Sequence, residues 1–256
     1  MKLSIVMPVF NEGVNLKFML RILKATIDIP HETLVVYDIL SDNSIPVIEA
    51  VQKDYATLKG VYNQMGRGVA NAIKAGVLVA KGEYVLILAA DDVGPILAID
   101  EMIGLMDQGC DLVSATRYAY GGKVFGGASM GRILSRTANK LFHLLSGSSL
   151  TDSTIGIKMI RRSLFDQLDV SSQRVGWSIA FEMAIKAQLL GLKLGEVPIV
   201  SINRFYGGKS SFKLGSWLVD YSKLFLKGMK EIYFSEKSSS EISLQIPEKL
   251  TVERKK

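Results

Sequence analysis

Short apolar runs, polar turns and segments with helical spacing alternate along the first half of the chain. The apolar runs predict strands over residues 3–7, 34–38, 60–63 and 84–90. Between them, apolar residues recur three and four positions apart, which predicts helices over residues 15–27, 45–55 and 69–80. A repeated strand–helix order is typical of an α/β protein with a mostly parallel central sheet and helices on both of its faces.

The second half continues this pattern less regularly. Helices are predicted over residues 98–106, 132–145 and 175–190. Strands are predicted over residues 111–116, over 194–202 and at the end of a loop-and-strand segment, 152–159. The stretch 118–131 is rich in glycine and aromatic residues, which predicts a mobile loop.

The last predicted helix, residues 217–234, is amphipathic. Trp217, Tyr221 and Phe225 fall on one side, while lysines stay at the margins. Such a helix either lies in a membrane interface or packs on the core of its own protein. Beyond residue 235 the composition turns to Ser, Glu and Lys, which predicts a disordered polar tail. The expected organisation is a single α/β domain over residues 1–211, a helix over 212–234 and a tail over 235–256.

Acidic side chains follow several of the predicted strands. Glu12, Asp38 and Asp91 come after the first, second and fourth strands, and carboxyl ends of parallel strands line one crevice. Asp91 and Asp92 are adjacent with no basic residue beside them, so they repel each other unless a cation sits between them. The pair therefore indicates either a divalent-metal site or an acidic loop that caps the next helix through Asp92.

Composition narrows the class of protein. The 256 residues are 48% hydrophobic, enough for a sizeable core, and carry a net charge of +6. The basic residues concentrate in 209–230 and 248–256, which favours an anionic partner. Cys110 is the only cysteine, which excludes an intramolecular disulfide or a multi-cysteine zinc site and fits a cytoplasmic setting. No stretch reaches the roughly 18 uncharged apolar residues that span a bilayer, so a soluble or peripheral protein is expected.

Several nucleotide-binding classes are disfavoured. A dinucleotide-binding domain needs Gly-x-Gly-x-x-Gly after its first strand, where this chain has Pro-Val-Phe-Asn-Glu. No Walker motif is present either, which argues against an ATPase. The basic residues lack an RNA-binding aromatic motif, so no nucleic-acid partner is expected.

Three segments together resemble a known family. They are Val-Met-Pro-Val-Phe-Asn-Glu at residues 6–12, the acid-tipped fourth strand followed by Arg117, and Glu-Val-Pro-Ile at 196–199 running into Arg-Phe-Tyr-Gly-Gly-Lys-Ser at 204–210. The chain resembles family 2 glycosyltransferases of the GT-A fold over residues 3–230. Within that family it is most similar to dolichol-phosphate mannosyltransferases and bacterial polyprenyl-phosphate glycosyltransferases.

The resemblance implies roles at matching positions. The nucleotide side of the pocket would be lined by Pro8, Asn11, Glu12 and Asp38. The phosphates of donor or acceptor would be contacted by Arg117, Arg132 and Ser135, and the late loop would close over the donor through Arg204, Lys209 and Ser210. Asp152 and Glu182 stand where the family keeps acids near the acceptor.

The implied cofactor is Mg²⁺ or Mn²⁺. Asp91 corresponds to the surviving acid of the family's Asp-x-Asp motif, whose first acid is replaced by Ala89. Asp92 is the second candidate ligand.

The expected activity is metal-assisted, inverting transfer of a hexose from a GDP- or UDP-sugar to a polyprenyl or dolichyl phosphate, at the inner face of the membrane. Residues 217–234 would supply the peripheral membrane contact. One alternative is transfer to a saccharide hydroxyl, which requires a carboxylate base such as Asp152 or Glu182. The other is a nucleotide-sugar-binding module that has lost turnover with its metal acid.

Overall fold

The computed structural model describes residues 1–126, 129–171, 176–202, 214–235 and 244–249. In chain order its strands are β1 (Leu3–Val9), β2 (His31–Tyr37), β3 (Leu58–Tyr62), β4 (Tyr84–Ile87), β5 (Leu112–Thr116), β6 (Lys123–Phe125), β7 (Lys158–Arg161), β8 (Leu194–Pro198) and β9 (Val200–Ile202). Its α-helices are α1 (Gly13–Thr26), α2 (Ile45–Gln52), α3 (Val69–Val79), α4 (Ile99–Asp107), α5 (Ser129–Ser146), α6 (Ser178–Leu189) and α7 (Leu214–Tyr233).

A seven-stranded sheet forms the centre of the described structure, in the order β3-β2-β1-β4-β7-β5-β8. The paired strands run parallel except β7, which lies antiparallel between β4 and β5. The prediction of a mostly parallel α/β sheet is confirmed. Because β1, β2, β4 and β5 all point the same way, the loops that follow them open at one edge of the sheet.

Alternating side chains of the strands feed two separate cores. In β1, Leu3, Ile5 and Met7 pack with helices α1, α2 and α4 on one face. Val6 instead packs with helices α3 and α6 on the other face. The two-residue period of a strand thus buries both faces, as expected for parallel sheets covered by helices.

The structure departs from several predicted boundaries. β4 ends at Ile87 and not at residue 90, so Asp91 stands on a loop. The predicted strand 194–202 is two strands, because after Pro198 the chain leaves the main sheet and β9 pairs with β6. β6 lies within the segment predicted as a mobile loop, so that prediction is wrong for residues 123–125. The strand forms because it pairs with β9, which lies far away in the sequence.

Helices α5, α6 and α7 share a third core. Phe142 of α5 meets Phe181 of α6 and Phe225 of α7 at ring-centroid distances of 4.8 and 5.3 Å. Gly228 lets α7 approach α6 closely, because a Cβ there would lie 2.3 Å from Ile185 Cδ1. Part of α7 therefore packs on the protein's own core. None of the helices in the described residues is long and apolar enough to cross a bilayer.

A short piece of the predicted tail also belongs to the described structure. Gln245 pairs in parallel with Gly195 at the edge strand β8, and its side chain accepts a hydrogen bond from Cys110 Sγ at 3.0 Å. Residues 244–249 therefore differ from the expected disorder, because an exposed strand edge offers unpaired main-chain groups. Residues 236–243 and 250–256 lie outside the described residues.

We expect opposite effects from two glycine substitutions in helix interiors. A Cβ at Gly76 of α3 would lie 2.4 Å from Val6 Cγ1, whereas one at Gly104 of α4 meets nothing within 4 Å. Gly76→Ala should lower the free energy of unfolding by about 1–3 kcal/mol through overpacking. Gly104→Ala should raise it by roughly 0.5–1 kcal/mol through helix propensity. Urea unfolding of both variants measures this, and stabilisation by Gly76→Ala would contradict the described packing of α3 on β1.

Candidate active site

The turn after β1 is held by the loop after β2. Asn11 takes a left-handed backbone conformation, with φ of 56°, and its main-chain N–H donates to both carboxylate oxygens of Asp42 at 3.1 and 3.0 Å. Asp42 is buried and also accepts the main-chain N–H of Ser44. The next residue, Glu12, donates its N–H to Ser44 Oγ at 3.2 Å. Pro8, one of the expected pocket residues, precedes this turn and pairs with Val36 of β2.

Asp42 is a residue that sequence reasoning missed as a determinant of the site. The cluster Ser-Asp-Asn-Ser at residues 41–44 shows only that a polar loop is present. Gly13 completes the contact, because a Cβ there would lie 2.6 Å from the main-chain oxygen of Asn43. The main chain of the turn after β1 therefore packs directly against the main chain of the loop after β2, with no side chain between them.

Asp38 lies at the end of β2 and joins two other segments. Its carboxylate accepts hydrogen bonds from Asn63 Nδ2 at 2.7 Å and from the main-chain N–H of Gly68 at 2.8 Å. Gly68 precedes α3 and has a φ of 123°, which favours glycine. Asp38 thus fixes the start of α3 beside the crevice, in addition to any contact that it makes with a nucleoside.

The two adjacent aspartates after β4 have different surroundings. Asp91 is half-buried, whereas Asp92 is buried. Asp92 Oδ2 accepts the hydroxyl of Ser201 at 2.5 Å, and its Oδ1 accepts the main-chain N–H of Ile202 at 2.8 Å. Burial raises the pKa of Asp92, while these hydrogen bonds act in the opposite direction. The Asp92 carboxylate therefore ties the loop to β9, and this use of both oxygens argues against metal binding by Asp92.

Gly94 reinforces the attachment of this loop to β9. A Cβ at Gly94 would lie 1.6 Å from the main-chain oxygen of Val200. The N–H of Gly94 also donates to Asp92 Oδ1 at 3.3 Å, at the start of a short 3₁₀ helix. The loop and β9 therefore form one unit.

Arg117, directly after β5, forms a two-pronged ion pair with Asp152. Its Nε donates to Asp152 Oδ2 at 2.8 Å and its Nη2 to Oδ1 at 2.9 Å, while the main-chain N–H of Arg117 also reaches Oδ2 at 3.1 Å. The Asp152 side chain is fully buried and that of Arg117 is 20% exposed. Although burial acts to lower the pKa of Arg117, Asp152 outweighs it and leaves that pKa raised. Arg117 is therefore a permanent cation in a fixed orientation.

Arg117 also contacts the start of α5. Its Nη2 lies 3.4 Å from Ser135 Oγ and 3.3 Å from Thr154 Oγ1. Asn139 of α5 donates to the same Thr154 hydroxyl at 2.7 Å. None of the hydrogen bonds that Arg117 makes within the described residues uses Nη1. That nitrogen can donate to a bound anion.

A second pair of ionisable groups lies beneath Asp152. Glu196 Oε1 accepts the main-chain N–H groups of Thr151 and Asp152 at 2.7 and 3.1 Å. Lys158 Nζ donates to the main-chain oxygens of Ser153 and Ile155 at 3.2 and 2.7 Å. Burial raises the pKa of Glu196 to about 7 and lowers that of Lys158 to about 7. Neither residue carries a role in the sequence prediction of the site, because most of their partners are main-chain groups of a loop; the exceptions are the hydroxyls of Thr151 and Ser114.

The remaining expected site residues divide into three groups. Arg132 and Ser135 lie on α5, where Arg132 Nη1 donates to the main-chain oxygen of Gly126 at 3.2 Å. Glu182 is buried on α6, and its Oε1 accepts the N–H of Ser171 at 2.8 Å. Arg204, Lys209 and Ser210 lie outside the described residues.

Of the two acids in the expected metal motif, Asp91 is the better candidate ligand for a divalent cation, because both oxygens of Asp92 accept hydrogen bonds from β9. No group of three His, Cys, Asp or Glu side chains within them is arranged to hold a metal. Mg²⁺ is commonly bound by one or two carboxylates together with substrate phosphates. Asp91 at the crevice fits that mode, with a nucleotide diphosphate supplying further oxygens.

Comparisons with known proteins agree with this arrangement. The family model described as "Glycosyl transferase family 2" matches residues 4–169. An undecaprenyl-phosphate 4-deoxy-4-formamido-L-arabinose transferase of Klebsiella pneumoniae is 26% identical over 216 residues, which cover 82% of this chain and 63% of the relative. A dolichol-phosphate mannosyltransferase of Pyrococcus furiosus is 25% identical over 233 residues, which cover 90% of this chain and 64% of the relative. The chain thus spans less than two thirds of the length of these relatives.

Solved structures bear on the fold. The chain superposes on glucosyl-3-phosphoglycerate synthase from Mycobacterium tuberculosis, crystallised with Mn²⁺, UDP and phosphoglyceric acid, with a TM-score of 0.67, 17% identity and coverage of 89% of this chain and 78% of the other. It also superposes on S. aureus TarS with a TM-score of 0.60, 16% identity and coverage of 94% and 68%. The expected GT-A architecture is confirmed.

Substitution of each aspartate in turn should separate their roles. Asp92→Ala removes the carboxylate oxygens that accept the hydroxyl of Ser201 and the main-chain N–H of Ile202, and should lower the free energy of unfolding by about 1–3 kcal/mol. Asp91→Ala should change stability by less than that and should weaken metal-dependent binding of a nucleoside diphosphate. Chemical denaturation and calorimetric titration with Mn²⁺ measure the two effects. Unchanged stability of Asp92→Ala, together with loss of metal-dependent binding, would make Asp92 the ligand.

Proposed function

Since this chain belongs to glycosyl transferase family 2, we propose that it transfers a hexose from a nucleotide diphosphate sugar to a polyprenyl or dolichyl phosphate. The observation that carries this proposal is the position of Arg117. It lies at the crevice edge, with Nη1 unused by the described residues, and contacts Ser135 on a helix whose outer face is apolar and exposed. A lipid phosphate needs both a cation and an apolar surface beside it.

The exposed apolar side chains of α5 fall on one face of the helix. They are Ile133, Leu134, Leu141, Leu144 and Leu145, with exposed fractions from 42 to 64%. On the neighbouring α7, a stripe at seven-residue spacing is likewise exposed and consists of Val219, Leu226 and Tyr233. We call these two sets the α5–α7 surface. Isolated exposed leucines are ordinary, but exposed apolar rows on two helices that pack against each other are typical of an interaction site.

Charge favours a membrane as the partner of the α5–α7 surface. The exposed Lys140 of α5 and Lys223, Lys227 and Lys230 of α7 flank or interrupt its apolar positions. A basic amphipathic helix buries its apolar side at the headgroup boundary, while its lysines meet anionic lipid. The side chain of Trp217, part of the expected membrane contact, lies outside the described side chains.

A phosphate acceptor also suits the chemistry of the described site. The acceptor oxygen is already anionic near neutral pH, so the reaction needs cationic positioning more than a general base. Arg117 would hold the acceptor phosphate through Nη1, because Asp152 fixes the rest of its guanidinium. Attack on the anomeric carbon from the side opposite the diphosphate would invert its configuration. A divalent cation bound at Asp91 would supply charge stabilisation for the departing diphosphate.

The two carboxylates expected to act as the base for a saccharide acceptor are both buried. Asp152 is fully buried, and its two oxygens are occupied by Arg117. Glu182 is only 6% exposed; its Oε1 accepts the N–H of Ser171, and its Oε2, which has no hydrogen-bond partner among the described residues, is buried as well. Burial keeps both carboxylates from a bound sugar hydroxyl, which supports the phosphate acceptor.

A transfer assay tests the proposal. Full-length protein is incubated with Mn²⁺ or Mg²⁺, radiolabelled GDP- and UDP-sugars, and either undecaprenyl phosphate or an oligosaccharide. We expect label in the lipid fraction, with Arg117→Lys reducing transfer by about 100-fold because a lysine cannot reproduce the two-pronged pair. Label confined to the oligosaccharide would establish the alternative acceptor. Donor binding without transfer would leave a nucleotide-sugar-binding module.

A separate prediction concerns the α5–α7 surface. Leu144→Glu places a charge on an apolar position that is 64% exposed, so its effect on folding should be small. Loss of one buried leucine contact of roughly 2 kcal/mol weakens membrane binding by about tenfold or more. Co-sedimentation with vesicles of phosphatidylglycerol and phosphatidylethanolamine measures this affinity.

The matched control for that experiment is Leu78→Glu. Leu78 is 79% exposed near the end of α3, a helix that contributes nothing to the α5–α7 surface, so Leu78→Glu should leave vesicle binding unchanged. Equal binding by both variants and the unsubstituted protein would reject the α5–α7 surface as the membrane contact.

A further inference from the structure

Glu196 is a fully buried acid that the proposed reaction does not use directly. Its Oε1 accepts the N–H groups of Thr151 and Asp152, and its Oε2 accepts the Thr151 hydroxyl at 2.9 Å. All three donors belong to two consecutive residues. The carboxylate of Glu196, on β8, therefore fixes one short piece of main chain.

That piece of main chain carries the partner of Arg117. The side chain of Asp152 extends from this segment, and both of its carboxylate oxygens accept hydrogen bonds from the guanidinium. Thr151 adds a second connection, since its hydroxyl lies 2.9 Å from that of Thr116, the residue before Arg117. Any rotation of the peptide between Thr151 and Asp152 would therefore be passed on to the guanidinium.

We propose that Glu196 is a positioning residue, which holds the Thr151–Asp152 peptide so that Asp152 presents Arg117 to the acceptor phosphate. The identity of that phosphate rests on the proposed function. Glu196 lies behind the buried Asp152 and acts on the substrate only through it.

The chemistry of the buried position supports a positional role. Burying a carboxylate is costly, and an apolar side chain would fill the same space without that cost. The burial raises the pKa of Glu196 to about 7. An acid at this place is useful because two converging N–H groups and a hydroxyl need acceptors with a fixed direction. Lys158 holds the same loop from the opposite side through the main-chain oxygens of Ser153 and Ile155.

The chain contains a control for Glu196. Glu32 is also fully buried, and its Oε1 accepts the main-chain N–H of Lys81 and the hydroxyl of Ser4 at 2.7 and 2.8 Å. Its Oε2 in addition forms an ion pair with Lys59 Nζ at 3.0 Å. Glu32 lies near the start of β2, at the sheet edge opposite the crevice. Substitution of Glu32 by leucine removes a buried carboxylate network without touching Arg117.

The experiment compares Glu196→Leu with Glu32→Leu in the full chain. Leucine is similar in size to glutamate but leaves the two N–H groups and the hydroxyl of Thr151 without an acceptor. We expect Glu196→Leu to raise the KM for undecaprenyl phosphate by about tenfold, as misplacement of a positioning group does, while the donor KM stays within about twofold. Glu32→Leu should leave both constants unchanged, even where it lowers the Tm by as much. Thr151→Val, which removes only the hydroxyl contacts, should act in the same direction with a smaller effect.

A spectroscopic measurement makes the test independent of the reaction. In ¹⁵N-labelled protein, the Nε–H signal of Arg117, assigned by its absence from Arg117→Lys, reports the bond to Asp152. This signal should shift and exchange faster with solvent in Glu196→Leu but not in Glu32→Leu. An unchanged signal in Glu196→Leu overturns the proposal, and so does an unchanged acceptor KM. If the unsubstituted protein transfers no sugar to lipid phosphate, the proposed function fails, and the Arg117 signal still decides the positioning role.

Discussion

The two-pronged bond between Arg117 and Asp152 is the interaction on which the part of the crevice between β5 and α5 depends. A fully buried carboxylate is stable only when it is paired and hydrogen-bonded, and Arg117 supplies three of the donors that Asp152 needs. In return the guanidinium is held in one orientation, next to Ser135 of α5. The main effect of this buried ion pair is therefore to fix the orientation of the Arg117 cation, since a buried pair adds little net stability.

The part of the crevice formed by the loops after β1, β2 and β4 is also organised by buried carboxylates. Asp42 and Asp92 are buried aspartates whose oxygens accept main-chain N–H groups of distant loops. Each of these aspartates holds two loops together at the edge of the crevice. At Gly13 and Gly94 the loops approach so closely that no side chain would fit. The half-buried Asp91 stands next to Asp92, where a ligand to a metal diphosphate would be needed.

On the proposed function, α5 joins the two requirements of a lipid phosphate. Asn139 connects the helix to the loop that carries Asp152, and Ser135 contacts Arg117, while the opposite side of the helix exposes leucines. Phe142 and Phe225 pack α7 beside it, so the basic residues of α7 accompany the same surface. The phosphate of an acceptor would meet Arg117 while its chain remained with the bilayer, and no long movement of the protein would be required.

The spacing of apolar residues determined most of the fold before Asp107, because each strand and helix there has its own apolar period. It also placed the crevice, because the loops after parallel strands all lie at the carboxyl edge of the sheet. The motif at residues 6–12, the acid-tipped fourth strand with Arg117, and the segment 196–210 together predicted the family, which the match over residues 4–169 confirms. The sequence could not place β7 between β4 and β5, nor separate β8 from β9, since those pairings join distant segments. Nor could the sequence assign different roles to Asp91 and Asp92, which are identical and adjacent. Only the tertiary structure did so, because Ser201 and Ile202, more than a hundred residues later, bury one carboxylate and leave the other at the crevice.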